Sequence, residues 1–352
     1  NTWAPAKAIF ESDKVPSSMR LTTDGKSVFL SGDVSGEGVR VWRSDDAGKT
    51  WSAFEALPGS NQTVNSQIEP LLEGQRLYLA YTAEKGEQKS QIHLGVFDIA
   101  TNRWLSMPVR LDKREFDSTK ALNPSIAALP KGGAVVVWQD YRNIRPNVYL
   151  SYSDALGRGW TAPANVQAAD GRHGINTPHV QFDGAGQPVV TYQRFRDDTR
   201  QIVDFVATHL AYDAATGKIE TGTRPAGLTA EEKAARLKAR AQAFWNLRVK
   251  DDFEATYDYF DPAYRNLTPR DAFAKFQGNL RYHKAQVENV EIRGNIAYVK
   301  VRMNFEVLPT EVLGQKFSRP PRDAEVSNEW LWVYDNWYMV HQTALGNRAI
   351  DY

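Results

Sequence analysis

The chain has 352 residues, with 43 lysines and arginines against 42 aspartates and glutamates. At about 150 residues per domain this suggests two domains, and the charge balance excludes a phosphate-backbone binder, so nucleic acid is not an expected partner. There are no cysteines, which excludes disulfides, zinc–thiolate sites and cysteine nucleophiles.

The balance holds along the chain, at 25 basic against 25 acidic residues up to Pro225 and 18 against 17 after it. No apolar run approaches the roughly 18 residues of a membrane-spanning helix. The first residue is Asn1 rather than a methionine. That fits an exported precursor stripped of its signal peptide, and a cloned fragment equally well. The expectation is a periplasmic or secreted protein, and a lipid anchor upstream of Asn1 is compatible with it.

Tryptophans organise the first part of the chain. Trp3, Trp51, Trp104 and Trp160 each follow a polar turn, and a fifth turn, Ala215–Lys218, leads to Ile219 in the same place; the spacings are 48, 53, 56 and 59 residues. An alternating strand precedes each turn after the first: Val39–Arg43, His93–Phe97, Asn147–Ser151 and Asp204–Thr208. Each linker ends in a further strand, opened by Pro70, Pro124 and Pro178 in three cases. Val135-Val-Val-Trp-Gln-Asp-Tyr-Arg142 also aligns with Val189-Val-Thr-Tyr-Gln-Arg-Phe-Arg196 at an offset of 54. Four strands per repeat of about 50 residues is the signature of propeller blades, with a β-sandwich as the alternative. Four complete units fit between Trp3 and Ile219. The strand of Trp3 is expected to close the ring by completing the blade that contains Val189–Arg196, which removes exposed edges; further upstream blades are the other reading.

Ser44-Asp-Asp-Ala-Gly-Lys-Thr-Trp51 matches Ser-x-Asp-x-Gly-x-Thr-Trp at every fixed position. Asp46 can accept backbone N–H bonds in the turn with Ser44 and Thr50 beside it, Gly48 can supply a positive φ, and Trp51 can pack between sheets. Ser153-Asp-Ala-Leu-Gly-Arg-Gly-Trp160 is a second copy, with Ala155 where the aspartate belongs. The first segment resembles the Asp-box, or BNR repeat, of the sialidase-like β-propellers. The resemblance covers about residues 1–225. It implies a structural turn on the face away from the active centre. It also implies that activity would rest on an arginine triad, a Tyr/Glu nucleophile pair and an acidic aspartate. The nearest match to the first arginine is Arg20, in Ser18-Met-Arg-Leu-Thr22, without the family's Arg-Ile-Pro-like motif. No catalytic residue is assigned.

The face opposite the Asp-box turns carries loops rich in charge, among them Asp140, Arg142, Arg145, Arg194 and Arg196. Arg142 and Arg196 at equivalent positions can grip a carboxylate or sulfate, with Tyr141 as a wall; solvated or mutually paired charges are the alternative. His179 and His173 lie on one inter-blade link, near enough in the pattern to share a site with Glu69 or Asp140. Their spacing is not that of a metal site, so no metal and no cofactor are expected.

Composition changes after Pro225, and the link Thr221–Leu228 is short enough to expect domains packed together. Thr229-Ala-Glu-Glu232 is a capping box that opens a helix to about Lys250. A second helix is expected around Phe253–Phe260, with Asp261–Arg265 as the turn that ends it, and a third from Thr268. Strands follow at Val287–Arg293 and Ile296–Leu308, then a hairpin of Glu325–Tyr334 and Trp337–Gln342 across Asp335-Asn336. Three helices and a curved antiparallel sheet over residues 226–352 resemble the NTF2-like, or SnoaL-like, α+β cone. The resemblance implies a pocket, with Tyr257, Tyr282, His283, Trp330 and Trp332 as candidate lining or simply as core. The stretch Pro309–Val326, with Pro320-Pro321, is expected as a solvated connection or a lid.

The expected fold is therefore multidomain, an all-β propeller of about four blades over residues 1–225 and an α+β cone over 226–352. The leading functional expectation is a non-catalytic exported protein that binds another envelope protein or an acidic carbohydrate. A sialidase-like glycoside hydrolase acting on acidic glycans is the alternative, and small-molecule binding or isomerase chemistry in the cone is a second one.

Overall fold

The computed structural model describes residues 8–9, 13–166, 173–221, 227–312, 315–341 and 351–352. The protein is mostly β, and its first part is a succession of antiparallel sheets that stack as propeller blades do. The first sheet orders β1 (Pro16–Thr23), β2 (Val28–Val34), β3 (Gly38–Ser44) and β4 (Ser52–Ala53). The second orders β5 (Val64–Glu73), β6 (Arg76–Glu84), β7 (Gln91–Asp98) and β8 (Arg103–Trp104), with β9 (Val109–Arg110) also paired to β7. The third orders β10 (Ala121–Ala128), β11 (Ala134–Asp140), β12 (Asn147–Tyr152) and β13 (Ala164–Asn165). The fourth has β14 (Ile175–Phe182), β15 (Pro188–Phe195) and β16 (Val203–His209), followed by the small pair β17 (Ala211–Asp213) and β18 (Lys218–Glu220).

Neighbouring sheets pack face to face. Phe29, Val39 and Val41 of the first meet Ile68, Leu77 and Leu79 of the second. Tyr78, Ile92 and Leu94 meet Ala134, Val136 and Trp138, and on the other side Val135, Val137 and Leu150 meet Ile175, Val180 and Tyr192. This explains the unbroken apolar run in β11, whose seven residues are all buried because both faces of its sheet are covered. Each fully buried Val, Ile or Leu adds roughly 1.5–3 kcal/mol. The end sheets differ: Leu21 on β1 is 59% exposed and Phe205 on β16 is 83% exposed. The strand expected around Trp3 lies outside the described residues. Ile219 on β18 pairs with Tyr212 as Trp104 on β8 pairs with Phe97, but β17 and β18 form a two-stranded sheet of their own beside the fourth.

One aspartate organises the turn before each outer strand. Asp46 accepts from the Thr50 backbone and hydroxyl at 2.8 and 2.7 Å, with Gly48 at φ 84. In the second copy Asp154, one residue earlier, replaces the missing aspartate at Ala155 by accepting from the backbone of Leu156, Arg158 and Gly159. Asp98 and Asp213 do the same for their own turns.

The C-terminal part opens with α1 (Ala230–Val249), capped by reciprocal bonds between Thr229 and Glu232. The expected second helix is only a 3-10 segment, Glu254–Tyr259; Asp261 then caps a short α2 (Pro262–Leu267) rather than ending a helix, and α3 (Arg270–Ala274) follows. A four-stranded antiparallel sheet completes it: β19 (Leu280–Arg293), β20 (Ile296–Val312), β21 (Gln315–Val333) and β22 (Asn336–Met339). The stretch Pro309–Val326 is therefore strand over its described residues, not a loop. The register slip between Phe305 and Val307 opposite Arg322 and Arg319 gives Pro320 and Pro321 a place where no N–H is required. The last hairpin turns on Tyr334 and Asp335, both at positive φ (52 and 61), one residue before the expected Asp335-Asn336.

Candidate functional site

The four inner strands share an irregularity near their starts. Pairing slips between Ser17 and Arg20, Ser66 and Glu69, Leu122 and Ser125, and Asn176 and His179. Ser18, Gln67, Asn123 and Thr177 are the bulged residues, at φ 51, 50, 53 and 43. A non-glycine residue there costs on the order of 1–3 kcal/mol, so a fourfold recurrence needs compensation.

For Gln67 and Asn123, side-chain hydrogen bonds within and between the second and third sheets supply it. The Thr82 hydroxyl donates to Gln67 Oε1 (2.7 Å), Gln67 Nε2 to Asn123 Oδ1 (2.5 Å), Asn123 Nδ2 to Gln139 Oε1 (2.7 Å), and Gln139 Nε2 to the Tyr141 hydroxyl (3.1 Å). The direction is set by the backbone. Gln67 Oε1 also accepts from the Asn123 N–H at 2.8 Å, and Gln139 Nε2 also donates to the Ile175 carbonyl at 2.9 Å. A run of hydrogen bonds aligned this way is mutually strengthening.

The residues just past the bulges meet in pairs. Arg20 Nε lies 3.5 Å from Glu69 Oε1, and Ser125 Oγ lies 3.0 Å from His179 Nδ1. His173 is elsewhere, with Nδ1 2.9 Å from the Tyr334 hydroxyl. The expected histidine pair is therefore split. Among the described residues no group of three or more His, Asp or Glu side chains could hold a metal ion.

The arginine loops are spoken for. Arg142 holds Asp140 through Nη2 (2.7 Å) and Nε (3.0 Å) and lies 4.1 Å over the Tyr149 ring. Arg196 and Arg194 both reach Asp204, at 2.6 and 3.5 Å. Arg145 is buried between Asp198 and Asp261. Tyr141 is buried, with the Lys120 ammonium 4.9 Å over its ring. Arg142 and Arg196 thus do not converge on one ligand, because each already neutralises an aspartate of its own sheet.

A cleft of about 300 Å³ opens on the second sheet, between the links that flank it, at the end of the strands away from the Asp46 turn. Gln62, Gln88 and Gln91 offer amides to it, Ser60 and Thr63 hydroxyls, and Lys85 an ammonium; Tyr81, His93, Met107 and Pro108 complete the wall. Behind the wall lies Asp33, 6% exposed, accepting from Asn65 Nδ2 at 2.8 Å. Asn65 also donates to the Ser60 carbonyl (2.9 Å) and accepts from the Thr63 hydroxyl (2.7 Å), which ties Asp33 to the cleft lining. Burial pushes the Asp33 carboxyl above the usual aspartate range, and the Asn65 bond offsets only part of this. Burial, and then the Asp33 charge, push the Tyr81 phenol far up, so it stays neutral. Burial also depresses His93, against the pull of Asp112. Nothing in the local pattern singles out Asp33, Asn65 or Tyr81, which sit on three strands of two sheets.

In the C-terminal part, Trp330 is fully buried with its ring 6.2 Å from Phe244, and Trp332 packs on Trp337 at 5.3 Å. The Tyr257 hydroxyl sits 2.9 and 2.8 Å from the Arg265 and Thr268 carbonyls, and Tyr282 stands edge-on to Trp245 at 5.4 Å. His283 points away from them, with Nε2 3.4 Å from Glu306, so it does not line an interior with the other four. The indole nitrogens of Trp245 and Trp330 are buried without a hydrogen-bond partner.

No family model matches the chain, and no curated protein matches it. Solved structures do. A GH43 endo-arabinanase from Bacillus licheniformis is similar at 13% identity over 97% of this chain and 99% of that one, with a TM-score of 0.38. An endo-arabinase from Bacteroides thetaiotaomicron is similar at 13% identity over 90% and 98%, TM-score 0.36. A protein of unknown function from Dyadobacter fermentans is similar at 14% identity over 94% and 81%, TM-score 0.42. The expectation of a non-catalytic binding or assembly protein is corrected beside these results, since the characterised structures among them are glycoside hydrolases. Their identity and TM-scores assign this chain no activity.

Proposed function

We propose that the chain is a glycoside hydrolase that binds its glycan in the cleft on the second sheet. The observation that carries the reading is an amide- and hydroxyl-lined cleft backed by an aspartate whose burial favours its protonated form. Amides and hydroxyls suit the paired hydroxyls of a sugar, while Tyr81, Met107 and Pro108 suit its apolar face. Glycoside cleavage needs a proton delivered to the leaving oxygen while the water that adds to the anomeric carbon releases one to solvent, and a carboxyl whose burial favours the protonated form can supply the first. Asp33 is the proton donor, acting through one intervening water. Tyr81, too weak an acid to ionise, donates a hydrogen bond that orients the sugar. Incubation with a panel of neutral and uronic-acid polysaccharides, followed by assay of new reducing ends, tests this. Release by the wild type that falls at least 100-fold in Asp33→Asn supports it; no release from any substrate refutes it.

The finer architecture belongs to the same proposal: an Asp-box propeller of four blades over residues 1–225, then an NTF2-like cone over 226–352. The recurring bulges and the aspartate turns support the first, and the order of helices and strands supports the second. A second reading for the cone, small-molecule binding, is favoured by the two orphaned indole N–H groups of Trp245 and Trp330. Tryptophan fluorescence unmoved by a small-molecule panel would count against it.

A further inference from the structure

Two lysines from adjacent sheets converge on a single carboxylate near the cleft. Lys120 Nζ lies 2.6 Å from Asp351 Oδ2, and Lys89 Nζ lies 3.2 Å from Asp351 Oδ1. Lys89 belongs to the loop after β6 whose Lys85 and Gln88 line the cleft, and Lys120 immediately precedes β10. The two backbone segments that carry the lysines are tied together. Arg114, buried in the second link, donates to the Ser90 carbonyl at 3.2 Å and to the Thr119 carbonyl, the residues next to each lysine. The Ala121 N–H also bonds the Ser90 carbonyl, at 2.9 Å. Lys120 itself is held over the buried Tyr141 ring, with its ammonium 4.9 Å from the ring centre.

We propose that Lys89 and Lys120 form a carboxylate subsite for a uronic-acid residue of the glycan, and that Asp351 is an internal occupant which the ligand displaces. The inference rests on the hydrolase reading and names its substrate class. Asp351 suits the part. Its side chain is 71% exposed, and an exposed ion pair is a weak contact that a polyvalent ligand can replace. Its neighbour Tyr352 is buried with its hydroxyl 2.5 Å from Glu329, so the carboxylate is tethered over the lysines rather than free to diffuse. Both lysines also draw the Asp351 carboxyl below the usual aspartate range despite its partial burial, so at neutral pH the occupant is charged.

The test is calorimetric titration at low salt with trigalacturonate, and with a neutral trisaccharide as control. Asp351→Asn should tighten trigalacturonate about 5-fold and leave the neutral sugar unmoved. Adding Lys120→Gln should abolish that gain, and salt should weaken binding. Asp351→Ser, with melting temperature monitored, should repeat the gain. Unchanged or weaker binding in both Asp351 variants would overturn the proposal, as would an equal gain for the neutral sugar. Absence of hydrolysis with the charge-dependent binding intact would sink the hydrolase reading and leave this subsite standing. Hydrolysis of neutral glycans only, with no charge-dependent binding, would do the reverse.

Discussion

Arg145 Nη2 meets Asp261 Oδ1 at 2.6 Å, joining the loop after β11 to the cap of α2, and both side chains are buried. Asp198 takes Nε of the same guanidinium at 2.7 Å. Burial works against the charge on Arg145, but the two carboxylates outweigh it and hold the group more firmly protonated than usual. Around this contact the Asn295 amide donates to the Arg142 carbonyl at 2.9 Å, and Tyr141 and Ile144 pack with Ile296, Leu331 and Val333. The first and last parts of the chain are thus locked by charge and by apolar area together.

Arg145→Met strands two buried carboxylates and should cost about 3–5 kcal/mol in urea unfolding. The triple variant Arg145→Met, Asp198→Asn, Asp261→Asn should recover much of that loss, since no charge is then left unpaired. Equal destabilisation in both would show that packing, not charge, holds the contact.

At the bulge, Asn123→Ala removes two bonds and places a Cβ-branching-free but still chiral residue at φ 53. It should destabilise by about 1–3 kcal/mol. Asn123→Gly loses the same amide but escapes the left-handed penalty, so it should be the milder of the two. The reverse order in thermal melts would remove the strain account.

Asp46 has its carboxyl held well below the ordinary range, first by the Thr50 hydroxyl and then by the Thr50 N–H. A depressed carboxylate contributes stability above its unfolded pKa and loses it as pH falls through the folded one. Asp46→Ala should therefore melt below wild type at pH 7, and the gap should close only in strong acid. Glycan affinity should be unchanged, because this turn is at the far end of the strands from the cleft.

Asp33 has the opposite sign. Its carboxyl is raised by burial, so the fold loses stability as pH rises past the ordinary aspartate range, and the loss is complete once pH exceeds the folded pKa. Asp33→Asn should melt higher than wild type at pH 8, with the difference vanishing below the ordinary aspartate range. A gap independent of pH would mean that Asp33 is not titrating in the way its burial implies.

The alternating strands, the outer-strand tryptophans and the Thr229–Glu232 cap were legible because each is written in adjacent residues. The bulges were not. Gln67 and Asn123 are ordinary polar residues in strands, and their left-handed conformation exists only relative to the pairing of the neighbouring strand. The arginines were visible as charges without partners: Asp261, which fixes the role of Arg145, stands 116 residues away in sequence. Prolines at 309, 320 and 321 read as a loop, yet a slipped register lets a strand carry them. The cleft was missed for the same reason as the bulges, since Asp33, Asn65 and Tyr81 come together only when two sheets stack.

The most direct measurement is the specificity constant for a cleaved oligosaccharide in wild type, Asp33→Asn and Tyr81→Phe, alongside the Kd of each for an uncleaved analogue. Asp33→Asn should lower kcat at least 100-fold with Kd within a few-fold of wild type, because the proton is needed only in the transition state. Tyr81→Phe should lose both, since its hydroxyl orients the bound sugar. Unchanged kcat in Asp33→Asn would contradict the account and put the chemistry outside this cleft.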